Sequence, residues 1–147
     1  GGSSGICYTS SIMERKNLLY FILFLSVLIG LAHFAALTFY LYWVFPWFDV
    51  VMHFAGGFLV ALMGIWIVYY SDYANFPFKL ENRNLLLLAL GTALLVGLAW
   101  ELFEFVGGLR DERNYELDTV TDITMDLLGA VAAYALVSYR GFRAMLQ

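Results

Sequence analysis

The sequence predicts an all-α fold, a polytopic integral membrane protein whose four transmembrane helices form an antiparallel bundle. Of the 147 residues, 62% are hydrophobic and only 14% are charged, whereas soluble domains carry about a quarter charged residues. Four apolar segments are long enough to cross a hydrocarbon core, which takes about 20 helical residues. The connections between them are short, so neighbouring helices should pack antiparallel.

The N-terminal residues stand outside this bundle. Residues 1–12 are rich in Gly and Ser, which indicates an added linker or a disordered leader. The only cysteine, Cys7, lies there, so the rest of the chain offers neither a disulfide nor a thiolate metal ligand. We therefore expect a single membrane domain over residues 13–147.

The four helices follow from the apolar segments in chain order. Arg15 and Lys16 precede the first segment as they would a secretory signal, but its apolar run far exceeds the roughly 7–15 residues of such signals. We expect a retained helix there, followed by a turn at Pro46. The helices are predicted near residues 18–44, 50–70, 85–105 and 119–139.

The basic residues predict the orientation in the membrane. Six of the eight Lys and Arg residues fall on one side of the predicted bundle, and only Arg110 and Arg113 fall on the other. Since cytoplasmic loops are enriched in Lys and Arg, we expect both termini in the cytoplasm. The net charge of −4, without a basic stripe or zinc-finger spacing, excludes nucleic-acid binding and leaves the lipid bilayer as the expected partner.

Seven ionisable residues lie within or at the ends of the last three helices. Such groups cost about 2.5 kcal/mol or more each near the centre of a bilayer, so an idle set would be selected against. Helix two begins, helix three ends and helix four begins on the outer side, so the topology brings the whole set to one membrane face. The set comprises Asp49, His53, Glu101, Glu104, Asp118, Asp122 and Asp126.

The spacing of these residues predicts that they face the bundle interior. Within each helix they are three or four positions apart, which stacks their side chains on a single helix face. The same faces continue into small residues, which let membrane helices approach closely. These small residues are Gly56, Gly57, Gly97, Gly129, Ala130 and Ala133.

Some members of the set also have a structural explanation. Asp49 and Asp118 each precede a predicted helix, where a carboxylate can accept backbone N–H groups and meet the positive end of the dipole. His53 alone could be an interior histidine bonded to a helix carbonyl, but its stacking on Asp49 favours a functional role. His33, in the middle of helix one, has no acidic partner at helical spacing, and we interpret it as a packing residue.

A bound cation would remove the mutual repulsion of these carboxylates. Oxygen donors with a single imidazole favour Mg²⁺, Mn²⁺ or Ca²⁺, with Zn²⁺ or iron still open. The two Glu-x-x-His motifs of di-iron bundles are missing from the sequence. We therefore predict a divalent-cation site whose ligands are His53, Glu101, Glu104, Asp122 and Asp126.

Three motifs carry a resemblance to a known family. They are DVVMHFAGGF at residues 49–58, WELFEF at residues 100–105 and DTVTDITMDLLGA at residues 118–130. In this order they resemble the YjdF-like family of small bacterial inner-membrane proteins, and more distantly the VanZ-like family. The resemblance implies a multi-pass protein of a bacterial or archaeal-type plasma (inner) membrane in which these motifs line a common site. It supplies no reaction.

The sequence leaves three functions open. The first is a metal-dependent enzyme acting on a lipid-linked or envelope substrate, in which Asp49 or Asp118 orients His53 or serves as general base. The second is an ion- or proton-coupled transport module, for which four helices would need to form a homo-oligomer. The third is a structural or partner-binding membrane protein whose acidic residues fix the helix register.

Overall fold

The computed structural model describes residues 4–71, 81–108 and 115–139, with side chains described from Lys16 in the first range and from Glu116 in the third. All regular structure in these ranges is helical, which confirms the predicted all-α class. Helix α1 covers Ser4–Thr38, α2 Leu41–Val44, α3 Trp47–Ile65, α4 Asn82–Gly107 and α5 Tyr115–Ser138. A π-helical turn, Trp66–Tyr70, continues α3.

Four of these helices are long and apolar enough to cross a membrane, as predicted. The candidate spans are Lys16–Thr38, Trp47–Tyr70, Asn82–Gly107 and Glu116–Ser138. Helix α1 extends back to Ser4, so the described backbone is helical within the stretch predicted to be a linker or disordered leader. The assignment of residues 1–12 to an added linker stays a prediction.

The helix predicted over residues 18–44 is divided by a left-handed residue. Tyr40 has φ 57° and ψ 34°, a conformation that an α-helix cannot contain, and α1 ends just before it at Thr38. The chain then restarts as α2, where the backbone N–H of Val44 donates to the carbonyl oxygen of Tyr40 over 3.0 Å. Because neither Gly nor Pro stands at this break, the sequence gives no local signal for it.

Helix α3 is the centre of the bundle. It packs against α1, α4 and α5, and α4 also packs against α5. The interior faces of α3, α4 and α5 change character along the bundle axis, from ionisable residues at one end, through Gly and Ala, to bulky aliphatic side chains at the other. The buried non-polar residues of these faces are Gly57, Ala61, Leu62, Gly64, Ile65, Leu85, Ala89, Ala93, Gly97, Gly129, Ala130, Ala133 and Val137.

Helices α3 and α5 approach each other closely next to the ionisable residues, on the side of the bundle interior. A Cβ added to Gly129 of α5 would meet the backbone of Phe54 and Phe58 in α3, and one added to Gly57 would meet the backbone of Asp126. The two helix backbones are therefore in direct contact at this level. Small residues permit such close packing in membranes, as the sequence predicted.

Candidate metal site

Helix α3 contributes the first two residues of the site. Asp49 lies in its first turn and is 36% exposed, and His53 lies one turn further on and is 9% exposed. Because side chains four positions apart share a helix face, His53 Nε2 lies 3.9 Å from Asp49 Oδ1. The polar residues of α3 thus begin at the end of the helix, with Asp49, and continue into the bundle interior, with His53.

Helix α5 contributes the opposite wall. Asp122 is 2% exposed, and its Oδ2 lies 3.8 Å from the same His53 nitrogen, Nε2. One ligand atom each from Asp49, His53 and Asp122 lies within 4.8 Å of the others, close enough for one metal ion to contact all three. Among the residues that the structure describes, this is the group of His, Cys, Asp and Glu with metal-site spacing.

Asp126 meets the other side of the imidazole ring. Its Oδ1 lies 3.5 Å from His53 Nδ1, whereas Asp49 and Asp122 face Nε2. The Asp126 side chain is nearly buried, and its Oδ2 has no hydrogen-bond partner in the described part of the chain. The buried histidine is therefore enclosed by carboxylates at both ring nitrogens.

Helix α4 brings two glutamates to the same end of the bundle. Glu101 is 6% exposed, and its Oε2 accepts a 2.6 Å hydrogen bond from the Thr119 hydroxyl of α5. Glu104 is half-buried, and its Oε1 accepts a 2.9 Å bond from Trp100 Nε1. The two predicted ligands on α4 are thus held by hydrogen bonds outside the three-residue group.

The prediction that Asp49 and Asp118 precede their helices is wrong, because both helices begin earlier than predicted. Pro46 occupies the N-cap position of α3, and Asp49 lies inside the first turn. Asp118 likewise lies within the first turn of α5, where its side chain is exposed. Both carboxylates remain close to the positive end of a helix dipole, but neither is an N-cap.

A tyrosine-histidine pair beside the site was not found from the sequence. His33 Nδ1 and the Tyr42 hydroxyl are 2.6 Å apart, and the His33 ring also lies edge-on to the Trp100 ring. Burial, together with the nearby Asp49 and Glu104 carboxylates, raises the pKa of Tyr42 to about 12. His33 packs between helices as predicted, but its partner lies beyond the unpredicted break at Tyr40.

The comparisons with known proteins identify a family and no individual relative. No curated protein and no solved structure matches the chain. A family described as "Predicted membrane protein (DUF2238)" matches residues 5–143, which is nearly the whole sequence. The chain belongs to this family of predicted membrane proteins.

Proposed function

We propose that the protein binds one divalent cation through Asp49, His53 and Asp122 at the outer end of its membrane bundle. The observation that carries this proposal is the convergence of one donor atom from each residue within 4.8 Å. Donors to Mg²⁺, Mn²⁺ or Zn²⁺ lie about 2.0–2.2 Å from the metal, so two neighbouring donors are about 3.0 Å apart on an octahedral ion and about 3.5 Å apart on a tetrahedral one. The separations of 3.8 and 3.9 Å at His53 Nε2 must therefore contract by about 0.3–0.9 Å when the cation binds.

The donor set restricts the identity of the cation. Two carboxylates favour Mg²⁺, Mn²⁺ or Ca²⁺, while the imidazole nitrogen also suits Zn²⁺ or iron. Three protein ligands leave coordination positions for water or substrate, as in catalytic metal sites. Three further ligands that the sequence predicts are not ligands in this proposal but lie around the three-residue group. They are Glu101, Glu104 and Asp126.

The activity that we propose is metal-dependent catalysis on a lipid-linked or envelope substrate. A bound cation can polarise the substrate or lower the pKa of a bound water. Asp49 is half-buried and the neighbouring Asp118 is exposed, so the site is accessible at the end of the helices. We assign the role of proton acceptor to Asp118, because it is an exposed carboxylate in the first turn of α5.

The bundle interior favours this activity over ion transport. Beyond Asp126, the described core consists of Gly and Ala, followed by Leu62, Ile65, Leu85 and Val137, each at most 1% exposed. A cation moving further along the bundle would lose its polar ligands there, at a large desolvation cost. The proposed site therefore opens to one membrane face and is closed towards the other.

The proposal also assigns an orientation and a cellular membrane. Lys16 and Arg83, the Lys and Arg residues whose side chains the structure describes, lie at the end of the bundle opposite the acidic site. The positive-inside rule then puts both termini in the cytoplasm and the site at the outer face. With the resemblance to the YjdF-like family, this gives a multi-pass protein of a bacterial-type inner membrane.

Metal content of the detergent-purified chain tests the site. After exposure to Mn²⁺, Mg²⁺, Ca²⁺ or Zn²⁺ and removal of free ions, we expect about one equivalent of one cation by mass spectrometry. Asp122→Asn should lose it, whereas Asp118→Asn, an exposed aspartate of the same helix, should retain it. A wild-type chain that binds none of the four cations would refute the proposal.

A second measurement separates catalysis from transport. With the preferred cation, wild-type protein in liposomes should turn over lipid-linked substrates, and Asp122→Asn should be inactive. The same liposomes should show no cation uptake above the level of protein-free vesicles. Uptake that depends on Asp122, without turnover, would replace the enzyme assignment with the transport assignment.

A further inference from the structure

We infer that Asp126 is a positioning residue that acts through His53 and is not a ligand of the cation. This inference rests on the proposed cation site. It concerns the nearly buried carboxylate that the sequence groups with Asp122 on one face of α5, but that the structure brings to the opposite side of the imidazole ring.

The geometry at His53 separates the two aspartates. Asp122 Oδ2 lies 3.8 Å from Nε2, and Asp126 Oδ1 lies 3.5 Å from Nδ1. The two ring nitrogens point away from each other, so a cation bound at Nε2 is out of reach of a carboxylate at Nδ1. Asp126 can instead accept the Nδ1–H, which fixes the tautomer that leaves the Nε2 lone pair for a metal.

The packing behind Asp126 holds the carboxylate in this place. Gly97 of α4 lies against Oδ2, where a Cβ would come too close, and Gly57 of α3 lies against the Asp126 backbone. Three helices therefore meet at this side chain. Oδ2 has no hydrogen-bond partner among the described residues. The carboxylate therefore depends on His53 to offset the free-energy cost of burying it inside the bundle.

The cost of burying Asp126 is explained by this role. A carboxylate that only filled space would be better replaced by an apolar side chain, because a buried charge needs a partner. Paired with a metal-bound imidazole, the same carboxylate increases the basicity of the ligand and fixes its ring orientation. Such partners typically contribute a factor of about 10–100 to metal affinity.

The test compares Mn²⁺ binding by full-length variants in detergent, with free Mn²⁺ measured by electron paramagnetic resonance. Asp126→Asn should keep one site per chain with an affinity about 10–100-fold weaker. Asp122→Asn should lose the site altogether. If Asp126→Asn also abolishes stoichiometric binding while remaining folded by circular dichroism, Asp126 is a ligand and the inference fails.

A steric variant tests the same contact without changing any charge. Gly97→Ala should displace the Asp126 carboxylate and weaken Mn²⁺ binding, because its Cβ would overlap Oδ2. Gly91→Ala is the matched control on the same helix, since a Cβ at Gly91 meets nothing within 4 Å. Equal affinities for the two variants would contradict the positioning role.

A spectroscopic signature distinguishes positioning from a purely structural role. In a His33→Gln background, the ¹⁵N spectrum of Zn²⁺-loaded protein should show His53 protonated at Nδ1, and Asp126→Asn should shift that signal while Asp118→Asn should not. An unshifted signal would overturn the inference and leave the cation site intact. Failure of the wild-type chain to bind any cation would instead overturn the proposed function.

Discussion

Gly129 provides a direct test of the helix crossing beneath the site. A Cβ at this position would lie against the Phe54 carbonyl oxygen and 2.6 Å from the Phe58 backbone nitrogen. These are backbone atoms and cannot rotate away, so in Gly129→Ala helices α3 and α5 must separate by about 1 Å to restore ordinary contact distances.

The expected magnitude follows from two opposing terms. Overpacking of a close contact lowers the free energy of unfolding by about 1–3 kcal/mol. Ala in place of Gly within a helix raises it by at most about 1 kcal/mol. We therefore expect Gly129→Ala to destabilise the bundle by up to about 2 kcal/mol. Gly56→Ala is the control, because a Cβ there has nothing within 4 Å. It should be neutral or stabilising by up to about 1 kcal/mol.

The assay is reversible unfolding in mixed micelles, with an increasing fraction of sodium dodecyl sulfate and helicity measured by circular dichroism. Gly129→Ala should have a lower free energy of unfolding than the wild type. Gly56→Ala should have the wild-type value or a higher one. If Gly129→Ala is as stable as Gly56→Ala, the α3 and α5 backbones are not in contact and the account of the crossing is wrong.

Three further predictions concern two residues near the site and the orientation of the bundle in the membrane. Thr119→Val removes the hydrogen-bond donor to Glu101 and should cost about 1–3 kcal/mol in the same unfolding assay. Thr121→Val is the control, because the Thr121 hydroxyl donates to the Leu117 carbonyl oxygen of its own helix; it should change stability by less than about 0.5 kcal/mol. The Tyr42 phenol, with its pKa raised to about 12, should stay neutral to well above pH 10, and its contribution to stability should be lost as the pH rises from about 10 through 12. The ultraviolet difference between wild type and Tyr42→Phe should show this late ionisation, and a phenolate transition near pH 10 would contradict the burial. In a Cys7→Ser background expressed in bacteria, an impermeant maleimide should label Val44→Cys in intact cells and Glu81→Cys only after permeabilisation; the reverse pattern would invert the proposed orientation.

Much of the fold follows from the sequence because the membrane restricts the possibilities. A helix satisfies its backbone hydrogen bonds within one segment, as the hydrocarbon core requires, so the length and hydropathy of four segments suffice to predict four helical spans. The break at Tyr40 could not be predicted in this way, because a left-handed tyrosine has no composition signal. The same break separates His33 from Tyr42 in the helical pattern, and so conceals their hydrogen bond.

The candidate site was predictable as a set of residues, but its internal arrangement was not. Helical spacing places Asp118, Asp122 and Asp126 on one face of α5, and topology brings that face to Asp49 and His53. Helical spacing does not predict which carboxylate lies at which ring nitrogen, because that depends on the position along α3 and α5 at which the two helices cross.

The glycine contact between α3 and α5 determines this crossing depth. With Gly57 against the Asp126 backbone, Asp126 lies level with Nδ1, and Asp122, one helical turn nearer the membrane face, lies level with Nε2. A crossing displaced by one turn would bring Asp126 level with Nε2 and Ala130 level with Nδ1, and would so make Asp126 a ligand in place of a positioning residue. The small residues of the motifs therefore belong to the chemistry of the proposed site, because they decide the role of each aspartate.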